Sequence, residues 1–180
     1  MELINLRTYI LKILVLTFAF TLFACCKTTS KIGEIKECNG NDCEIGVYKN
    51  EKKEGVWKRY DKAGNLLQIS NYSGGKLNGA TVSFYNDGVV YSTGNYIDDE
   101  PHGNITIYFE NGKINFSDNY YKGKKEGFSY LYYSNGNLQF KGFYVSGKKE
   151  GEQYEFNENQ DTLKIQFYEK GILVKENLLK

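Results

Sequence analysis

Side chains able to do chemistry are few in this 180-residue chain, and their spacing says as much as their types. Histidine occurs once, at His102, just after Asp98, Asp99 and Glu100. A nucleophilic triad would also need an activated serine, and no G-x-S-x-G turn is present. The stretch 142–149, GFYVSGKK, has the glycines and lysines of a phosphate-cradling loop. It lacks the Ser or Thr that should follow the lysine and the helix that should come behind it. Four cysteines complete the set, Cys25, Cys26, Cys38 and Cys43. Cys38 and Cys43 flank a polar, glycine-containing turn in ECNGNDCEIG and read as a local disulfide in an oxidising compartment, with free thiols or a metal site as alternatives. A zinc site would have only Cys26 and the distant His102 to complete it. No catalytic residue, metal site or cofactor is assigned, and the expected class is non-enzymatic.

Cys25 has a different context. Arg7 and Lys12 lead into the uncharged run ILVLTFAFTLFA at 13–24. Twelve helical residues reach only ~18 Å, short of a ~30 Å hydrocarbon core, so 1–24 reads as a signal peptide rather than a spanning helix. Its end, Leu22-Phe23-Ala24-Cys25, resembles the lipobox of bacterial lipoproteins. That resemblance implies that Cys25 is diacylglycerated and becomes the mature N-terminus. Two or three acyl chains, at ~0.8 kcal/mol per buried CH₂, then hold the protein firmly at a membrane. Lys27-Thr28-Thr29 lacks the acidic cluster that resembles surface-export signals, so a periplasm-facing position at the outer membrane is expected.

Charge narrows the partner. Of 23 Lys and Arg and 22 Asp and Glu, loss of Arg7, Lys12 and Glu2 with the signal leaves 21 of each. A neutral chain offers no electrostatic footprint for nucleic acid. With 41% hydrophobic and 16% aromatic residues, it is not disordered either. The expected organisation is a signal peptide at 1–24, a tether at 25–43 and one folded domain at 44–180.

The domain is written in a period of 24. Glycines fall at 55, 79, 103, 127 and 151; aromatics follow at 60, 84, 108, 132 and 156; tyrosines recur at 72, 96, 120, 144 and 168. Around these lie short runs rich in Tyr, Phe, Ile, Val and Thr without proline, which read as strands. Asp87-Gly88, Asn111-Gly112 and Asn135-Gly136 predict two-residue type I′ turns, with Ala63-Gly64 and Asn159-Gln160 predicting looser ones. Gly74-Gly75-Lys76, Gly123-Lys124 and Gly147-Lys148 mark wider turns between hairpins. The glycine opening each unit is expected to avoid a collision with the neighbouring hairpin. Residues 44–48 and 172–179 are expected to cap the two sheet edges. The fold class is all-β: an elongated, single-layer, twisted antiparallel sheet of stacked hairpins built from five 24-residue repeats.

The pattern Tyr-x-x-Gly-Lys-x-x-Gly-x-x-x-x-Tyr, legible from Tyr144 with Phe156 in the last place, resembles the MORN repeat and more closely its bacterial variant in small exported proteins. Only His102 keeps the histidine usual before the repeat glycine. The resemblance implies a single elongated, twisted antiparallel sheet of stacked hairpins, and some members of that family are labelled antitoxin-like. The array is expected to serve as a non-catalytic protein-interaction or scaffolding surface.

Repetition also makes columns. Lys52, Lys76, Glu100, Lys124 and Lys148 should stack along one rim beside Glu54, Asn78, His102, Glu126 and Glu150. Glu126 and Glu150, as an acid/base pair, would stand ~10 Å apart by strand spacing, near the outer limit for glycoside hydrolysis by inversion. The two aromatic ladders supply the buried surface of a sheet with no second layer. Additional aromatics in the middle copies make Tyr85, Tyr91, Tyr108, Phe109, Tyr130, Tyr132 and Tyr133 the candidate partner-binding residues, with Lys76, Lys124 and Lys148 on the rim. The expected partners are the membrane, through the N-terminal acyl chains, and another envelope protein. A glycan or lipid, or a toxin neutralised by an immunity role, are the alternatives.

Overall fold

A computed structural model describes residues 34–40 and 42–179, which belong to one compact unit, Ile32–Lys180. The signal peptide, Cys25 and Cys26 lie outside the described residues. Fifteen strands make one sheet. They are β1 (Glu34–Asn39), β2 (Asp42–Lys49), β3 (Lys52–Tyr60), β4 (Leu66–Ser73), β5 (Lys76–Phe84), β6 (Val90–Ile97), β7 (Glu100–Pro101), β8 (Gly103–Tyr108), β9 (Ile114–Tyr121), β10 (Lys124–Tyr132), β11 (Leu138–Val145), β12 (Lys148–Lys149), β13 (Gly151–Phe156), β14 (Thr162–Glu169) and β15 (Ile172–Leu178). Chain neighbours are sheet neighbours and antiparallel throughout; β7 and β12 are short pairings just ahead of β8 and β13. This is the expected all-β repeat sheet. The segment read as tether contributes more than a tether, because its C-terminal part forms β1 against β2. Glu44 to Tyr48 therefore sit inside the sheet, and β1 is the strand at that edge.

The two kinds of turn are exchanged relative to the expectation. Ser73 pairs with Lys76 across Gly74 (φ 58°) and Gly75 (φ 89°), and Val145 with Lys148 across Ser146 (φ 50°) and Gly147 (φ 81°). Both central residues have positive φ, as a type I′ turn requires, so the two-residue hairpins lie at the Gly-Lys end. Asp98 and Asp99 adopt the same conformation without glycine. At the Asn-Gly end the loop has three residues: Tyr133 N donates to Asn137 O at 2.8 Å and Gly136 N to Tyr133 O at 2.8 Å. Gly136 alone takes positive φ (94°) there. The asparagine serves through its side chain, Asn135 Oδ1 accepting from Asn137 N at 2.8 Å. The outer loops are not looser. Asp61–Asn65 and Asn157–Asp161 have the same backbone bonds, with Asp61 and Asn157 supplying the side-chain acceptor instead.

The repeat glycines also have a different reason from the one expected. A Cβ at Gly55, Gly103 or Gly151 would meet nothing within 4 Å, but all five have positive φ, from 65° to 108°. Conformation selects glycine at these bulged positions, and only at Gly79 does a tight approach, 3.3 Å to Asn71, add to it.

Collision selects glycine elsewhere. Down the middle of one face runs a row of small or polar residues with one large neighbour at intervals. A Cβ on Gly46 would lie inside the Trp57 indole, one on Gly142 inside the Gln153 and Phe140 side chains, and one on Gly94 3.3 Å from Ile105. Gly46, Gly94 and Gly142 are 48 residues apart, so every second unit makes room for a side chain from the next strand. Trp57, Ser70, Thr81, Asp118, Ser129 and Gln153 are buried along this row. A single sheet thus acquires a narrow interior under the aromatic side chains flanking the row.

Candidate interaction surface

Alternation along each strand sends the two ladders to opposite faces. On the Trp57 face, Tyr48, Trp57 and Tyr72 meet edge to face, at 5.0 and 6.3 Å between centroids. Lysines cover the tyrosine ladder: Lys53 lies 5.1 Å over Tyr72, Lys125 5.2 Å over Tyr144 and Lys149 4.8 Å over Tyr168. The sequence reading missed these inner lysines. Their signal is the Lys-Lys doublet at 52–53, 124–125 and 148–149, whose second member turns inward onto a ring while the first stays outside. Lys53 also pairs with Glu44, and Lys125 with Asp118 at 2.7 Å.

Lys76, Lys124 and Lys148 are exposed on the rim. The acidic companion column is fully used. Glu54 Oε2 accepts from Gly74 N at 2.8 Å, Glu126 from Ser146 N at 2.7 Å and Glu150 from Lys170 N at 2.7 Å. Each carboxylate holds the next unit's turn. His102 rests against Tyr121 with centroids 5.4 Å apart. Among the described residues no His, Cys, Asp and Glu group could hold a metal, and no helix is long and apolar enough to cross a membrane. Cys38 and Cys43 are joined by a disulfide directly across β1 and β2.

The candidate aromatics do not form one patch. Tyr85 and Tyr133 are at the first position of their loops, their hydroxyls donating to the Tyr108 and Phe156 carbonyls at 2.7 and 2.8 Å. Phe109, between them in the repeat, has no hydroxyl to do this. Tyr91 is the extra residue of a bulge opposite Ser83 and Phe84, and meets Tyr85 at 5.1 Å. Tyr130 and Tyr132 stand on the face opposite Trp57, stacked at 6.4 Å, and Tyr108 occupies the place equivalent to Tyr132.

That second face is divided by composition. The cross-strand pairs of the second and third hairpins are Ala80–Asn95, Val82–Thr93, Asn104–Asn119 and Thr106–Ser117. In the fourth the same places hold Phe128–Phe143 and Tyr130–Lys141, and in the fifth Glu152–Phe167 and Tyr154–Ile165. Phe128 meets Phe143 at 5.0 Å and Tyr130 at 5.9 Å, with Lys141 Nζ 5.2 Å over its ring. Tyr154 and Phe156 stack nearly parallel, at 11° and 6.2 Å. Phe128 remains 45% exposed and Phe167 37%, so among the described residues nothing fully covers this cluster. Burial and the neighbouring Tyr130 hold the Tyr132 hydroxyl above its ordinary range; the hydrogen bond to Glu152 does so for Tyr154. Both phenols are neutral donors at physiological pH. The surface offers aromatic area, hydroxyl donors and one ammonium, and no assembled nucleophile.

Residues 53–73, 77–98, 101–122 and 125–146 match the MORN repeat variant family. No curated protein matches. Among solved structures, a variant of S. aureus TarM in complex with Fondaparinux, alpha-GlcNAc-glycerol and UDP aligns at 15% identity with a TM-score of 0.37, over 67% of this chain and 21% of that one. A crystal structure of TarM aligns at 13% identity with a TM-score of 0.29, over 74% of this chain and 21% of that one. The chain spans about a fifth (21%) of the length of these structures, and so loose a superposition says nothing of function. The repeat match is another matter, since its four segments follow the hairpins seen in the sheet: over residues 53–146 this chain carries four MORN repeat variants.

Proposed function

We propose that this protein is a lipid-anchored bacterial envelope protein acting as a non-catalytic docking module. Cys25 is its membrane anchor, and the aromatic face of the fourth and fifth hairpins is the surface that a protein partner covers. One observation carries the docking site. On the face opposite Trp57, the cross-strand places that hold Asn, Thr and Ser in the third hairpin hold Phe128, Phe143 and Tyr130 in the fourth and Phe167 and Tyr154 in the fifth. Tyr and Phe give large contact area at low entropic cost, and a cluster of this kind left uncovered marks an interaction surface. The lipobox-like end of the leader supports the anchor, and a disulfide between Cys38 and Cys43 suits an oxidising envelope compartment.

The test is crosslinking in the native envelope, with a photoreactive residue placed at Phe128 or, as control, at Asn104. One dominant protein captured from position 128 and not from 104, and lost in Phe128→Asn/Tyr130→Thr, supports the reading. Those replacements are the residues of the third hairpin at the same places, so the strand tolerates them. Carbohydrate or lipid captured instead would overturn the protein partner in favour of an envelope glycan or lipid. Capture of a toxin encoded beside this gene would specify an immunity role.

A further inference from the structure

Between the three-residue loops of the second and third hairpins lies an open cleft of about 480 Å³, lined by Phe84, Tyr85, Asn86, Asp87, Tyr91 and Glu110. Its corner is the Tyr85–Tyr91 pair, with centroids 5.1 Å apart and rings at 73°. Tyr85 is fixed from behind by its 2.7 Å hydrogen bond to the Tyr108 carbonyl. No lysine or arginine lines the cleft, and among the described residues neither Asp87 nor Glu110 belongs to a salt bridge. One Asp87 oxygen accepts from Val89 N at 3.0 Å; the other has no such role.

The combination belongs to this unit. At the bulge where Tyr91 stands, the other copies have Leu67, Asn115, Gln139 and Leu163. At the loop place of Glu110 they have Lys62, Asn86, Ser134 and Glu158. Since the repeat does not ask for these residues, the fold alone does not account for them. Burial, then the charges of Glu110, Tyr91 and Asp87, hold the Tyr85 phenol above its ordinary range, as a negative field at the rings would.

We propose that this cleft binds an alkylammonium group, with the Tyr85 and Tyr91 rings as walls and Glu110 and Asp87 as counter-charge. Ring quadrupoles attract a cation most when it is weakly hydrated, so a quaternary ammonium is the preferred form. The site is separate from the aromatic face of β10 to β14, and its failure would leave that docking surface untouched. The group can arrive on a phospholipid headgroup or on a soluble amine, and the experiment distinguishes the two.

The mature chain is titrated with choline chloride and followed by the amide resonances of Tyr85, Gly88 and Tyr91, against sodium chloride of equal ionic strength. Saturable shifts at these positions are expected. Tyr91→Leu, the residue of the first copy at this place, should weaken choline about fivefold, and ethylammonium should bind more weakly than choline. Glu110→Ser should weaken both. No saturable shift below about 100 mM, or an affinity unmoved by Tyr91→Leu, would overturn the site. Co-sedimentation of the unlipidated chain with phosphatidylcholine vesicles, lost in Tyr91→Leu, assigns the lipid source. Choline binding without vesicle binding supports the site and assigns the soluble amine.

Discussion

Lys125 Nζ lies 2.7 Å from Asp118 Oδ2 and 5.2 Å from the centre of the Tyr144 ring, joining β9, β10 and β11 at one point of the buried row. The Asp118 side chain is 5% exposed and that of Lys125 35%, so the two partners are not equivalent. Removing the lysine leaves an enclosed charge, whereas removing the acid leaves a cation that can reach water. Lys125→Met should therefore cost about 3 kcal/mol and Asp118→Ser, the residue at position 70 of the same row, about 1 kcal/mol. Urea unfolding of the two variants checks the order, and equal losses would refute the asymmetry.

The same pair sets an alkaline limit. Partial burial of Lys125 disfavours its charge, but the hydrogen bond and charge of Asp118 outweigh that and hold the ammonium above its ordinary range. Tyr120 is also held up, by burial first and then by Asp118. In both groups the protonated form is favoured in the folded state. Their contribution is complete below the unfolded values, near pH 10, and is lost as pH rises through the folded ones. Urea midpoints should fall as pH rises above about 10, and less steeply in Lys125→Met/Asp118→Ser.

Two glycine substitutions separate conformation from packing. Gly46→Ala places a methyl group inside the Trp57 ring and should cost about 3 kcal/mol. Gly55→Ala, at φ 69° in open space, should cost about 1 kcal/mol. Trp57 fluorescence should shift in the folded state of the first variant only.

At the last three-residue loop, Gln160 holds φ 70° where the other four copies have glycine. Gln160→Gly relieves that conformation and forfeits an exposed 3.1 Å bond to the Leu138 carbonyl. A net gain of about 0.5 kcal/mol is expected in thermal or urea unfolding.

The membrane anchor is tested at its thiol. Cys25→Ala should move the protein from the membrane to the soluble fraction or leave it unprocessed, read by fractionation and by mass of the mature chain. Retention with normal processing would remove the lipoprotein reading.

The period, the strands and the two ladders were legible because each recurs at a fixed offset, and a pattern repeated five times needs no tertiary information. The turns were not. Asn135-Gly136 is the dipeptide of a two-residue turn, yet only Gly136 needs positive φ and Asn135 acts through Oδ1, a distinction made by one residue of loop length. Ser146-Gly147 and Asp98-Asp99, with weaker dipeptides, form the tighter turns. Burial of Ser70, Thr81, Asp118 and Gln153 runs against the preference of polar residues for water, and it follows from tall rings on flanking rows that strand alternation alone does not bring together. The aromatic face of β10 to β14 was available to sequence reading, through comparing where the copies differ; Phe128 against Asn104 and Ala80 is the signal. Counting aromatics copy by copy scattered the candidates between one face, a bulge and the loops.

The backbone braces that hang each tight turn on the unit before it all point one way. Gly75 N donates to Lys53 O, Asp99 N to Leu77 O, Gly123 N to Pro101 O, Gly147 N to Lys125 O and Gly171 N to Lys149 O, each later turn hanging on the strand before it. Glu54, Glu126 and Glu150 reach forward in the same sense. The array is thus a chain of hooks with a direction. A polypeptide threaded through a pore with its N-terminus leading presents the acceptor of each of these turn braces before its donor. Each hairpin can then latch as it emerges, without waiting for sequence still on the other side.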